Sequence, residues 1–542
     1  MPNDDAAWWR DGVLYQIYVR SFADSDGDGS GDLQGVIDHL DHLAWLGVDG
    51  IWLSPIHPSP NTDWGYDVAD YLDVHPELGD LQTLDRLVAE AGARDIRILL
   101  DLVPNHTSDR HAWFVDARSS REAEHREWYV WADPRPDASP PNNWLSVFGG
   151  PAWELDPATG QCYLHNFLPE QPDLNWWNRE VHDAFDDIMG FWFERGIAGF
   201  RIDVANGLVK DAELRDNPPP TGEDPPEVLR RGQRFVHNMN RPEVHDVYRR
   251  WRTLADASGR VLVGETWLFD PQVLATFYGS DLDELHLCFN FSFMFANLEA
   301  NALRAIVEAT DAAFPEGAQP AWTGSNHDVG RFPSRWCAGD PARIRCSLMT
   351  LLTLRGTPFL YYGDEIGMTE VPVVGEDVRD GPGLIGEAQV VRDPGRTPMQ
   401  WTDQPGAGFT RGDVRPWLPI GDRRAINVES QRRDRGSMLH LCRDLIALRR
   451  ETPDLRSGSY ASLPSPKEAW TWRRGSSTTV AVNLSGVSVT VPVEAGVIAI
   501  GTDRSRDGET VDEDLSLGPW EGAVLRVAPA SAGPGGRPRP RS

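Results

Sequence analysis

The sequence predicts an α/β fold: a (β/α)8 barrel with a subdomain inserted after the third strand and an antiparallel β domain at the C-terminal end. Three observations lead there. From Val13 to about residue 450, short apolar runs alternate with helical patterns, as parallel βα units do. The third and fourth runs stand about 95 residues apart, far more than a βα loop needs. From about Arg456 the pattern changes to short alternating runs such as TVAVNLSG, SVTVPV and GAVLRVA, which suit antiparallel strands.

Eight runs read as barrel strands. They are VLYQIYV from Val13, GIWLSPI from Gly50, IRILLDLV from Ile96, GFRID from Gly199, VLVGET from Val261, LHLCFNF from Leu285, AWTGSNHD from Ala321 and PFLYYG from Pro358. Between the first two, Leu33, Val36, Ile37, Leu40, Leu43 and Leu46 recur at helical spacing, with Gly47 placed to cap the end. Residues 106–175 are rich in Pro, Asn, Trp and Asp and read as the inserted subdomain. The barrel then takes residues 1–105 and 176–455, and the C-terminal β domain residues 456–530. A second excursion, Met368 to Asp393, follows the eighth strand, and the tail 531–542 is expected to be disordered.

A formal net charge of −30 argues against nucleic acid and anionic membrane surfaces as partners. Cys162, Cys288, Cys337, Cys346 and Cys442 are scattered and form no CxxC, so a disulfide framework or zinc site is not expected. The start, MPNDDAAWWRDG, lacks a basic-then-apolar signal pattern, and no apolar run approaches the ~18 residues of a membrane span. A cytoplasmic protein is the expectation.

In GFRIDVAN, Arg201 and Asp203 stand two apart on a strand and so face the same way, toward the barrel interior near its C-terminal rim. A guanidinium beside a carboxylate favours its ionised form. A positioned, ionised carboxylate is what attack on a sugar carbon requires; taken alone, the pair reads equally well as a barrel salt bridge. The next strand ends in VGETW, putting Glu265 at the same rim, where a second carboxyl in a drier place can act as acid and then base. DLVPNH (Asp101 to His106) and SNHD (Ser325 to Asp328) end two further strands. Four polar clusters ending four strands of one barrel are poor stability devices and a good active site.

DLVPNH, GFRIDVAN, GETW, SNHD and QPDLNW from Gln171, in this order, resemble the motif set of glycoside hydrolase family 13, the α-amylase clan. WWRDGVLYQIYVRSF, NNWLSVFGGPAWELD and RTPMQW extend the resemblance along the chain. QPDLNW and RTPMQW are similar to the subgroup of oligo-1,6-glucosidases, α-glucosidases and trehalose-processing relatives. The resemblance implies Asp203 as nucleophile, Glu265 as acid/base, and Asp328 as the third carboxylate holding sugar hydroxyls. It implies Arg201 as the nucleophile's partner, His106 and His327 as hydroxyl-binding histidines, Tyr66 as a stacking platform and Phe167 as an apolar wall. Asp63 and Arg396 resemble the pair that grips the non-reducing end and makes the pocket exo-acting on short oligosaccharides.

The loop DSDGDGSGD places carboxylates at positions one, three, five and nine of a calcium loop, with Gly29 at six but Gly35 where a bidentate glutamate belongs at twelve. An acidic surface turn is the alternative reading. The subgroup carries a metal in a matching loop, which implies a structural calcium, with magnesium as the alternative. Its ligands would be Asp24, Asp26, Asp28, the Ser30 carbonyl and Asp32. The expected activity is a retaining exo-α-glucosidase with some transglucosylation, its two carboxyls ~5–5.5 Å apart. Val204, after the nucleophile, leans toward α-1,6 bonds, while DVANGLVKD resembles α-1,4-acting enzymes. An oligo-1,6-glucosidase and a glucoside isomerase of the trehalose synthase or sucrose isomerase type are the alternatives.

Overall fold

The computed structural model describes residues 8–224, 226–381 and 391–527; the expected disordered tail and the last residues of the C-terminal domain lie outside them. Strands β1 (Leu14–Ile17), β2 (Gly50–Leu53) and β3 (Arg97–Leu102) open the barrel. β4 (Trp131–Ala132), β5 (Trp153–Asp156) and β6 (Gln161–Leu164) form a small antiparallel sheet in the insertion. β7 (Gly199–Ile202), β8 (Val261–Gly264), β9 (Leu287–Cys288), β10 (Ala321–Thr323) and β11 (Thr357–Tyr361) complete the barrel. The sheet runs β10-β11-β1-β2-β3-β7-β8-β9 with every pair parallel, and a parallel bridge from Phe289 to Ala321 joins its two ends.

Period-two alternation sorts the strand residues. Leu14, Trp52, Leu99, Val263, Leu287, Ala321 and Phe359 form a cluster inside the barrel, while their neighbours Tyr15, Ile51, Leu53, Leu100, Phe200, Leu262 and Leu360 join the larger core under the helices. Each such buried leucine or phenylalanine contributes roughly 1.5–3 kcal/mol relative to exposure. Gly199 opens β7 because a Cβ there would lie 2.1 Å from the Val261 carbonyl oxygen of the next strand. The helical run after β1 is two helices, Leu33–Asp38 and Leu40–Leu46, broken at His39, whose backbone leaves the helical region; Gly47, at φ 94°, caps the second.

The C-terminal domain is a six-stranded antiparallel sheet of β12 (Tyr460–Leu463), β13 (Ala469–Arg474), β14 (Thr478–Asn483), β19 (Gly522–Val527), β16 (Gly496–Gly501) and β17 (Thr510–Val511). A hairpin-like pair, β15 (Val489–Pro492) and β18 (Asp514–Leu517), completes it. Arg474 ties it to the barrel: its guanidinium donates to the carbonyls of Thr353, Leu455 and Gly458 at 2.7–3.1 Å.

Lys210, one of two lysines in the chain, is buried where the insertion meets the barrel. Its ammonium donates to Asn105 Oδ1 (2.7 Å), Asp173 Oδ2 (2.8 Å) and the Leu208 carbonyl (3.0 Å). Removing it strands a buried carboxylate, so Lys210→Ala is expected to destabilise the protein by ~3–5 kcal/mol. A urea unfolding midpoint checks this; a loss under ~1 kcal/mol, the range of an exposed pair, would show that the ammonium is dispensable.

Candidate active site

Arg201 is the centre of the site. Strand register places it between Asp101 on β3 and Val263 on β8, with its side chain 1 % exposed. Its Nη1 donates to Asp101 (2.9 and 3.1 Å) and to Asp203 Oδ1 (2.8 Å), while Nη2 lies 2.8 Å from Glu265 Oε2. Its guanidinium lies over the rings of Trp52 and Tyr66, at 4.9 and 5.8 Å from their centroids. One cation thus faces three buried carboxylates. Burial, then the Glu265 carboxylate, push Asp203 up against the opposing pull of Arg201. Arg201 does lower the nucleophile's pKa, as expected, but the net direction is up, set by desolvation and by a like charge on the same guanidinium. Burial likewise pushes Asp101 up to about 7, with Arg201 opposing and Glu265 adding. Both carboxyls are thus raised by burial and by a like charge, and Arg201 offsets this only in part.

Glu265 follows β8, and two donors fix it. The Val204 N–H reaches Oε2 at 3.1 Å and the Trp267 indole reaches Oε1 at 3.0 Å. Val204 takes φ 47°, left-handed backbone in which a β-branched residue is an outlier costing ~1–3 kcal/mol. That turn aims its amide at the acid/base.

Asp328 follows β10 and sits against two arginines and a histidine. Arg392 Nη1 (3.0 Å) and Arg396 Nη2 (3.2 Å) reach Oδ1, and His327 Nε2 lies 3.1 Å from Oδ2. Burial pushes this carboxyl up, but His327, Arg392 and Arg396 outweigh it and hold it well below the usual range. Burial keeps His327 neutral. Its ring stacks on Tyr66 at an interplanar angle of 2°, with Nε2 2.6 Å from the Tyr66 hydroxyl and Nδ1 2.8 Å from the Gln16 amide. The Tyr66 hydroxyl donates to Asp101 at 3.0 Å, which closes a continuous network back to Arg201.

His106, pushed down to about 4 chiefly by burial, contacts the Tyr66 carbonyl at 3.0 Å and the Phe167 ring at a centroid distance of 5.2 Å. The structure corrects one pairing. Asp63 binds Arg392, at 2.6 Å, whereas Arg396, 1 % exposed, reaches Asp328 and sets its Nε on the His327 carbonyl. The two arginines stand four apart in VRDPGRTPMQW, and the resemblance alone assigned the clamp to the second. Asp101 and Trp267 were also missed as members of the site, although each lies inside a quoted motif.

In the acidic loop, oxygens of Asp24, Asp26 and Asp28 all lie within 4.8 Å of one another. Burial and then the surrounding carboxylates raise Asp28, an arrangement a divalent cation relieves. Ser30 gives its N–H to Asp28 Oδ1. Asp32 also serves the turn: Oδ1 caps the next helix through the Gly35 N–H, and Oδ2 accepts from Ser25, while its charge still acts on Asp28.

Paired carboxyls on one arginine at the C-terminal rim of a parallel barrel are the arrangement of a glycoside-bond-processing enzyme. Residues 16–458 match the family model of the α-amylase catalytic domain, and the chain belongs to that family of glycoside hydrolases. It is 43 % identical over 472 residues to "Probable alpha-glucosidase" of Rhizobium meliloti (strain 1021), covering 84 % of each chain. It is 37 % identical over 497 residues to "Oligo-1,6-glucosidase" of Heyndrickxia coagulans, covering 84 % of this chain and 87 % of that protein. Among solved structures, the alpha-glucosyl transfer enzyme XgtA superposes with a TM-score of 0.90 at 39 % identity, covering 96 % of this chain and 99 % of that one.

A catalytic acid must keep its proton, which gives the pH profile of kcat/KM a basic limb. Asp101→Asn removes one like charge from the cluster and so favours the ionised form of the carboxyls that remain. The basic limb is expected to move to lower pH; an unmoved limb in a variant of wild-type Tm would show that Asp101 does not act on the catalytic acid.

Proposed function

We propose that this chain is a cytoplasmic, retaining, exo-acting α-glucosidase that frees glucose from the non-reducing end of short α-glucosides, maltose-type first. The observation that carries this reading is the pairing of Asp203 and Glu265 on Arg201 in a pocket whose far end is closed by Asp63 and Arg392. Glu265 protonates the leaving oxygen while Asp203 Oδ attacks the anomeric carbon, breaking the glycosidic bond and forming a glucosyl ester. Glu265, now a carboxylate, takes a proton from water, which attacks the same carbon and releases Asp203; a second sugar in place of water gives transfer. Asp328, held ionised by its cations, accepts hydroxyl protons of the bound glucose and gains most as positive charge grows on the ring.

A preference for α-1,6 bonds is the second reading, favoured by Val204, whose buried side chain packs with Phe235 and Met239 beside the nucleophile. Initial rates and products on maltose, isomaltose, sucrose and trehalose separate them, with Asp203→Asn as control. Glucose chiefly from maltose supports the first reading and glucose chiefly from isomaltose the second; a rearranged disaccharide overturns both in favour of an isomerase. The control is expected to lose at least ~10³-fold in kcat, because removing the attacking group leaves only binding and electrostatics.

We also infer that Asp24, Asp26 and Asp28, with the Ser30 carbonyl and Asp32 behind them, hold a structural Ca2+, with Mg2+ the competitor. Chelation is expected to lower Tm, and added Ca2+ to restore it more fully than Mg2+. An unchanged Tm removes the metal from the reading. The ion would order the turn between β1 and its helix and take no part in the chemistry.

A further inference from the structure

Arg392 reaches the pocket from the segment after β11, and a third carboxylate holds it. Asp380 is fully buried and contributes nothing to the catalytic cluster on Arg201. Its Oδ1 accepts from Arg392 Nη2 at 2.7 Å, both of its oxygens lie 3.1 Å from Arg392 Nε, and Oδ2 accepts the Arg392 backbone N–H at 2.7 Å. The fork is therefore gripped along its Nε edge, and the opposite edge is turned outward. There Nη2 also meets Asp63 at 2.6 Å and Nη1 meets Asp328 at 3.0 Å.

Asp380 is in turn held from two sides. Asp393 Oδ2 accepts the backbone N–H groups of Arg379 and Asp380, at 2.6 and 2.9 Å. The Trp64 indole, one residue after Asp63, donates to the Arg379 carbonyl at 2.9 Å, and Arg379 Nε donates to the Trp417 carbonyl at 3.3 Å. The loop bearing Asp380 is thereby pinned to the loop bearing Asp63. A buried carboxylate with four bonds to one arginine, placed behind that arginine as seen from the pocket, has no use as a sugar ligand. It fixes a long side chain that otherwise holds ~2 kcal/mol of rotamer entropy.

We propose that Asp380 is the positioning residue of the non-reducing-end clamp: it holds Arg392 against Asp63 and Asp328 so that the pocket admits one glucose unit and no more. The inference rests on the exo reading above and adds the group that enforces it. Charge alone does not suffice, because Arg392 keeps two other carboxylates without Asp380; what is lost is the direction of the fork.

The test is steady-state kinetics with 4-nitrophenyl α-glucoside on wild type, Asp380→Ala, Asp380→Asn and Asp380→Glu. Tm is measured for each, and the alanine variant is repeated in formate. The expected result is a KM raised at least tenfold in Asp380→Ala and Asp380→Asn with kcat changed less than threefold, since the attacking and protonating groups are untouched. Formate, a carboxylate small enough for the vacated space, is expected to bring the KM of the alanine variant back several-fold, and the glutamate variant to be the mildest. An unchanged KM in a variant of wild-type Tm overturns the proposal. So does a parallel fall of kcat and Tm in the alanine, asparagine and glutamate variants alike without formate rescue, which marks Asp380 as merely structural. A wild type that does not hydrolyse the probe fails the exo reading itself, an outcome distinct from both.

Discussion

One buried guanidinium sets the terms for this active site. Arg201 is surrounded by Asp101, Asp203 and Glu265, three acids on three neighbouring strands, and it cannot neutralise them all. A lysine would offer a single point charge; the planar fork presents two amino groups to different carboxylates and a flat face to Trp52 and Tyr66 at once. The excess of acid over base adds to burial in raising Asp203 and Asp101, and Arg201 opposes it at each. The hydroxyl and imidazole network from Asp101 through Tyr66 and His327 to Gln16 then spreads the consequences of each protonation across four barrel strands or the loops after them.

The rest of the pocket divides by polarity. Around the glucose site the lining is arginine, histidine and carboxylate, arranged so that Asp328 stays ionised while Asp203 and Asp101 are pushed up. Two sets of carboxylates a strand or two apart thus have opposite shifts because one set has two arginines and the other shares one. On the other side of Asp203 and Glu265 the neighbours turn apolar, with Val204 against Phe235 and Met239, and Trp267 stacked on Phe291 at 4.4 Å.

The barrel was legible because its signal is periodic. All eight apolar runs became strands, since a strand buried on both faces has little freedom to be anything else. Arg201, Asp203, Glu265, His327 and Asp328 were legible because strand ends of such a barrel converge, whatever the loops do. What failed were assignments that depend on loops. Arg392 and Arg396 are four residues apart on irregular backbone, and only packing decides which one turns toward Asp63. Asp32, at the ninth position of the acidic loop, is also a helix cap, a second role that the loop pattern alone does not announce. The sign of the Asp203 shift was misread because the partner arginine was visible two residues away, whereas the competing Glu265 and the depth of burial are tertiary facts.

Val204 shows how the site's chemistry and the fold's stability conflict. Its backbone sits at φ 47°, where glycine would rest without strain, yet the position carries a β-branched side chain. The turn itself is required: it bends the chain away from β7 directly after Asp203 and swings the Val204 amide onto Glu265, tying acid/base to nucleophile through one peptide. Glycine would keep that turn and lose the wall formed with Phe235 and Met239, leaving the aglycone side open above the nucleophile. The strained valine therefore answers two demands that no unstrained residue meets together, a left-handed amide for the acid/base and an apolar surface for the leaving group. Strain of ~1–3 kcal/mol is tolerable there because the residues on both sides, Asp203 and Ala205, are buried and hydrogen-bonded into the barrel rim through the Leu102 and Glu265 carbonyls.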